Sequence, residues 1–265
     1  MDTHGQLMSR LESHGTSLAA HEQDLTALLD RQPATPFQVK RAGRTYLGQV
    51  QATANLFSMV PVKAGVPPLG QWAASADLLV ELVDLLLEQR PRVVVEAGSG
   101  VSTLFLALAT EHHDLPVRIV ALEHDESYLV KTRALLARHG VSHRAEVRHA
   151  PLIPSSIEGH ATPWYDERAL DDLSDVGLVL VDGPPEATGV AARFPLVPLM
   201  QERFAAQCTI LIDDTDRAGD RDVVERWRAL LPDFGYAALP FEKGAVVLRR
   251  PSTMRMSEGA LDSWG

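Results

Sequence analysis

The sequence predicts an α/β fold: an open seven-stranded sheet, five strands parallel and two in a C-terminal antiparallel hairpin, with helices on both faces and an N-terminal helical arm. Three observations predict it. Apolar strand-like runs alternate with helix-like stretches from residue 76 onward, the order that builds a parallel sheet with right-handed crossovers. The last two runs, YAALPF (236–241) and AVVLRR (245–250), are joined only by Glu242, Lys243 and Gly244, which is too short for a crossover and right for a hairpin. Residues 93–105, VVVEAGSGVSTLF, pass from a β-branched run through a glycine turn into a helix, as open α/β folds do where they bind a nucleotide.

The elements follow in order. Over residues 1–32, Leu7, Leu11, Leu18, Leu25 and Leu28 fall on alternating steps of four and three, with His14 and His21 in the missing places. That is coiled-coil spacing, weakened by Gly5 and Gly15. It fits an arm that assembles a homo-oligomer, or an amphipathic helix folded back on its own domain. Residues 33–75 form a connector and active-site cover, punctuated by PATP and PVKAGVPPLG, with a short helix over Tyr46–Val60. Trp72 stands just before the core as a candidate part of the pocket cover. The core spans 76–250. It opens with the apolar helix Ala76–Gln89, which Pro91 ends. Strands are predicted near 93–97, 117–122, 145–149, 177–182 and 208–213. Helices are predicted near 102–110, 126–139, 188–206 and 219–230, and 150–172 reads as one long loop. The tail 251–265 is predicted to be mobile.

Composition sets the outer bounds. The chain has 265 residues, 45% hydrophobic and 23% charged, with a formal net charge of −10. An acidic balance argues against nucleic-acid binding as the main task. Cys208 is the only cysteine, so no intrachain disulfide can form. No apolar run approaches the length of a membrane span, and the start MDTHGQLMSR lacks an apolar signal core. A cytoplasmic protein with no membrane partner is the expectation.

The glycine turn separates two chemistries. A dinucleotide fingerprint carries a third glycine where this chain has Thr103. What stands here is acid-x-Gly-x-Gly, with Glu96 at the strand end before Gly98, Ser99 and Gly100. A carboxylate suits a cationic ligand and suits a pyrophosphate poorly. Glu123 ends the next strand about 25 residues past the glycines, where an acid can take both hydroxyls of a ribose. The alternative for an acid there is a solvated helix start, a role that Asp125 and Glu126 fit better. His124 follows in the loop. Strand four runs GLVLV into Asp182, and strand five runs TILI into Asp213 and Asp214. Three carboxylates in one cavity repel unless a cation joins them, and oxygen ligands select Mg²⁺, Ca²⁺ or Mn²⁺. The other reading has Asp182 touching a ligand directly, with Asp213 and Asp214 paired to Arg217, Arg221 or backbone amides.

Glu96-x-Gly98-x-Gly100, Glu123 and the terminal hairpin together resemble class I S-adenosylmethionine (SAM) methyltransferases, whose sheet is Rossmann-like. The resemblance implies SAM as cofactor. It places Glu96, Ala97, Gly98, Ser99, Gly100, Ser102 and Thr103 at the first motif, Glu123 at the ribose and His124 beside it. His149 stands where the family often has an acid on the adenine, and Asp182 stands nearest the methyl-transfer point. The VDG and IDD turns resemble those of metal-dependent O-methyltransferases of the catechol and macrolide-sugar groups. That implies Mg²⁺ or another divalent ion on Asp182, Asp213 and Asp214. The catechol group carries a lysine three residues beyond the strand-four Asp, where this chain has Pro185. Candidates for the base therefore come from the 150–172 loop: His160 first, with Tyr165 and Asp166. The expected function is transfer of a methyl group to a hydroxyl of a small molecule, a sugar or secondary metabolite. An NAD-dependent oxidoreductase is disfavoured by Thr103 and the hairpin. A non-catalytic SAM-fold assembly subunit is disfavoured by Glu96, Glu123 and Asp182.

Overall fold

The structure, a computed structural model, describes residues 36–70 and 72–251, with side chains from residue 43. The arm expected at 1–32 and the tail beyond Pro251 lie outside the described residues. The chain divides into two compact units, Met1–Gly48 and Gln49–Gly265. In the first, the described residues are helical. They belong to α1 (Pro36–Met59), whose second half is the short helix expected at Tyr46–Val60. Proline at the first helical position lacks only an amide that would have no partner anyway, so the helix starts earlier than the connector's punctuation suggested.

In the second unit, α2 (Ala76–Gln89) ends where Arg90 adopts a left-handed conformation and donates its amide to Leu86 O at 3.0 Å, just before Pro91. β1 (Val93–Ala97), α3 (Val101–His112), β2 (Arg118–Glu123), α4 (Glu126–His139) and β3 (Ala145–His149) follow as the pattern predicts. Asp125 caps α4 by accepting from the amides of Ser127 and Tyr128, and Gly140 closes it with φ 75°.

Two expectations fail here. The 150–172 loop is mostly a hairpin, β4 (Leu152–Ile157) and β5 (His160–Tyr165), paired antiparallel as a separate two-stranded sheet. Its two turn residues, Glu158 (φ 52°) and Gly159 (φ 74°), both take the positive φ that two-residue hairpin turns require. The helix expected near 188–206 shrinks to α5 (Leu196–Met200) between 3₁₀ turns, and residues 204–207 already belong to the next strand. Pro195 and Pro198 each remove an amide from the ladder that a longer helix would need, and Gly189 disfavours a helix interior.

β6 (Val176–Val181), β7 (Phe204–Asp213), α6 (Ala218–Leu230), β8 (Gly235–Leu239) and β9 (Ala245–Arg250) complete the unit. The sheet order is β3-β2-β1-β6-β7-β9-β8, with the first five strands parallel and β9 antiparallel to both β7 and β8. This is the seven-stranded Rossmann-like sheet the sequence predicts. One face packs on α2, α3 and α4 through Leu79, Leu82, Leu104 and Phe105. The other packs on α5, α6 and the β4–β5 hairpin through Trp164, Val197 and Trp227. With both faces covered, β6 is buried at every position, which is why parallel strands read as unbroken apolar runs. Among the described residues no helix is long and apolar enough to cross a membrane.

Candidate active site

Strand order reverses between β1 and β6, since the chain moves outward from β1 to β3 and returns on the other side. Ligands of open α/β sheets bind at the carboxyl end of such a switch point. Ladder bonds continue past the strand ends and fix the turns there: Gly98 N donates to Leu122 O at 3.1 Å, and Asp182 N to Ala97 O at 3.0 Å. The two turns pack back to back. Gly98 holds φ 108°, and a Cβ on it would stand 3.4 Å from Gly183 N. A Cβ on Gly183 would collide with Tyr165 Oη and stand 3.2 Å from Ala97 O.

Glu96 is fully buried and closes the first turn of α3. Ser102 Oγ donates to Oε1 and Thr103 Oγ1 to Oε2 (2.6 Å), while Gly100 N donates back to Thr103 Oγ1 at 3.0 Å. Thr103 thus has work that a third glycine could not do. Burial, with smaller contributions from Asp182 and Glu123, pushes the Glu96 carboxyl up to about 8 against the two hydroxyl donors. A direct contact of Glu96 with a cationic ligand is not what this geometry offers; the residue shapes the turn from behind.

In front of the turn lies a cavity of about 570 Å³. Ser99, Gly100, Ser102, Asp182, Trp72 and Tyr128 are among the residues that line it. Trp72 is 87% exposed. Glu123 sits behind Ser99, whose hydroxyl donates to Oε2 at 2.8 Å, and the Asp125 amide donates to Oε1 at 3.0 Å. Burial would raise this carboxyl, but His124, whose Nδ1 stands 3.2 Å away, the Asp125 amide and Ser99 outweigh it and hold it below the ordinary range. Glu123 is therefore an ionised acceptor. His149, exposed, lies opposite it in the β2–β3 register.

On the other side of the switch point the structure brings Asp182, Asp213 and Asp214 together, with one oxygen of each within 4.8 Å of the others. It also brings cations that the sequence reading did not place there. Lys243 Nζ lies 2.5 Å from Asp213 Oδ2 and 3.2 Å from Asp214 Oδ1. Arg193, 3% exposed, donates to Asp214 Oδ2 at 2.8 Å, to the carbonyls of Asp213 (2.7 Å) and Asp182 (3.0 Å), and lies 3.6 Å from Asp220 Oδ1. Arg217 reaches Asp214 Oδ2 at 2.9 Å, as the alternative reading expected, whereas Arg221 turns to the carbonyls of Thr215 and Asp216.

Electrostatics follow from this distribution. Burial and the neighbouring Asp213 raise Asp182 to about 7, against Arg193 and Lys243. Burial raises Asp213 against Lys243. Asp214 is held low, because Arg193 and Lys243 outweigh its burial. For Lys243 burial works downward, but Asp182 and Asp213 overcome it and the amine stays an ammonium.

The chain's own cations compete with the expected divalent ion for this donor set. Mg²⁺ would need bonds of about 2.1 Å to oxygens of Asp213 and Asp214. Lys243 Nζ stands against one oxygen of each, and Asp214's other oxygen is taken by two guanidinium groups. The repulsion among carboxylates, which motivated the metal, is relieved by the chain's own cations. His160 is corrected too. Its Nε2 pairs with Val190 O at 2.9 Å and its ring packs edge-on against Phe194, so it braces the β4–β5 hairpin and has no contact with the carboxylates. Tyr165 is the hairpin residue that reaches the site, with its hydroxyl over Gly183. Burial, with Glu123 adding to it, keeps that phenol protonated.

Residues 95–215 match a family model described as a methyltransferase domain. Over that stretch the chain is similar to methyltransferase domains. Solved structures of similar fold include the S-adenosylhomocysteine (SAH)-bound methyltransferase PaMTH1 of Podospora anserina, at 16% identity and TM-score 0.55, covering 83% of this chain and 98% of that one. The O-methyltransferase TomG of Streptomyces achromogenes, in complex with SAM, has 18% identity and TM-score 0.52, covering 77% and 89%. An O-methyltransferase of Bacillus cereus in complex with SAH has 17% identity and TM-score 0.50, covering 78% and 91%. At these identities the likeness is one of fold. No curated protein sequence matches this chain.

Proposed function

We propose that this methyltransferase transfers the methyl group of SAM to a hydroxyl oxygen of a small molecule, of the sugar or secondary-metabolite kind. The observation that carries the reading is the cavity at the sheet's switch point lined by Ser99, Gly100, Ser102 and Asp182, with Glu123 hydrogen-bonded to Ser99. Solved folds of this type include an enzyme described as involved in tomaymycin synthesis and others described as O-methyltransferases. SAM supplies an electrophilic methyl on sulfur. The missing Cβ at Gly98 lets the two turns pack, and the one at Gly100 leaves room for the cofactor to approach the backbone. Glu123 exchanges the Ser99 hydroxyl for ribose hydroxyls. Asp182, raised to about 7, is the proton acceptor for the substrate hydroxyl as its oxygen attacks. Tyr165 and the two turns keep water from the reaction line. No step is routed through a metal ion. The leucine stripe at 1–32 is proposed as an assembly arm.

The test is calorimetry with SAH, followed by labelled-methyl transfer to a panel of hydroxylated small molecules. Gly98→Val and Glu123→Ala should each weaken SAH binding by about tenfold or more, the worth of one lost good contact. Asp182→Asn should keep SAH within a few-fold and lower transfer by roughly a hundredfold. Unchanged SAH affinity in both Gly98→Val and Glu123→Ala would sink the reading.

A further inference from the structure

The β8–β9 turn is bound onto the loop after β7. Thr215 N donates to Gly244 O and Asp216 N to Lys243 O, each at 3.1 Å. Gly244 holds φ 69°, and a Cβ there would stand 2.7 Å from Asp216 Oδ1. The backbone that carries Lys243 is therefore fixed on both sides, and its side chain has one direction in which to run. It runs between Asp213 and Asp214, with its side chain only 17% exposed. Arg193, on the segment that follows β6, meets Asp214 at its other oxygen and ties the Asp182 and Asp213 carbonyls together. Around Asp182, Asp213, Asp214 and Asp220 stand three fixed positive charges, Lys243, Arg193 and Arg217.

We propose that Lys243 is the resident cation of this cluster, a positioning residue that takes the place a divalent metal would hold and lets the site work without one. The proposal rests on the methyltransferase reading for the word "work", but not for the exclusion of the ion. Three observations support it. Nζ touches one oxygen each of two of the three carboxylates that would hold a metal. The turn bearing it is clamped by two backbone hydrogen bonds. The second oxygen of Asp214 is already shared by two arginines, so that side chain has no oxygen left to give. A fixed ammonium beside Asp213 and Asp214 does what a metal would do electrostatically: it holds the carboxylates close and leaves a positive potential beside Asp182, where a substrate oxygen gains negative charge as it loses its proton. Unlike a metal, it costs no ligand exchange and is not removed by a chelator.

Metal binding can be read without any acceptor substrate. Manganese alone is titrated into the full chain, and free Mn²⁺ is followed by electron paramagnetic resonance. The wild-type protein should leave millimolar Mn²⁺ free. Lys243→Met removes the ammonium and keeps the stem. It should bind Mn²⁺ roughly a hundredfold or more tightly, the scale expected when one positive charge about 4 Å away is lost. Lys243→Arg keeps the charge and should stay closed to the ion. SAH binding, measured in parallel, should be the same in all three. Stoichiometric Mn²⁺ binding by the wild type that is lost in Asp213→Asn overturns the proposal. So does a folded Lys243→Met that gains no Mn²⁺. If Lys243→Met does not fold, wild type and Lys243→Arg decide it: binding in either counts against an ammonium that closes the site. Failure of SAH to bind the wild type would count against the methyltransferase reading and leave the Mn²⁺ result standing.

Discussion

Glu96 is a carboxyl held where its charge is disfavoured. In the unfolded chain it loses its proton near the ordinary 4.5; in the fold, burial raises that to about 8. Between those values the folded protein binds more protons than the unfolded one. The contribution is therefore complete below about 4.5 and is lost as pH rises through about 8. Each pH unit crossed in that window is about 1.4 kcal/mol, or roughly 3–6 °C in a domain of this size. Glu96→Gln has no proton to lose. The melting temperature of the wild type should fall more steeply than that of Glu96→Gln across neutral pH, and parallel curves would show that Glu96 is not proton-bound in the fold. Individual strand-end acids were legible in the sequence, because a β-branched run followed by an acid and a glycine is a local signal. Arg193 gave none: it lies in a segment of turns and meets Asp182 and Asp214 only through the tertiary fold. Lys243 did give one. A hairpin placed antiparallel to β7 must bring its turn to the carboxyl end of β7, and Ala245 is indeed the partner of Asp213.

At the level of elements, local chemistry decided what could be read. Apolar helices with clear ends, α2 and α4, are where the sequence put them, since Pro91 and Gly140 stop them for reasons independent of the rest of the chain. The β4–β5 hairpin was missed because Pro154 and Pro163 disguise its strands, and both are tolerated in a two-stranded ribbon that has free edges on either side. Its signal was the pair Glu158-Gly159 between two alternating runs. This hairpin changes what His160 does. The imidazole anchors the hairpin to the segment before α5 through Val190 and Phe194. His160→Ala should therefore cost about 1 kcal/mol of stability, the scale of one hydrogen bond, and leave SAH affinity and methyl transfer within about twofold. Denaturant titration and the labelled-methyl assay read the two separately. A hundredfold fall in transfer without loss of stability would return His160 to the role of base.

At the scale of the whole molecule, the described residues that shape the pocket and the charge cluster lie in the unit Gln49–Gly265, on turns held by a sheet covered on both faces. The leucine stripe of 1–32 lies outside the described residues, and its spacing of four and three is a pattern for burying one helix face against another helix. Roughly three heptads are marginal for an isolated coil, so such an arm draws its stability from association or from contact with its own domain. The two possibilities differ in mass. Deleting residues 1–32 should lower the mass seen by light scattering and leave SAH affinity unchanged if the arm serves assembly alone. A helix folded back on its own domain would instead leave the mass as it was and lower the melting temperature, since its removal uncovers the apolar surface it had buried. An unchanged mass would thus overturn the assembly role, and a lost SAH affinity would show that the arm reaches the site after all.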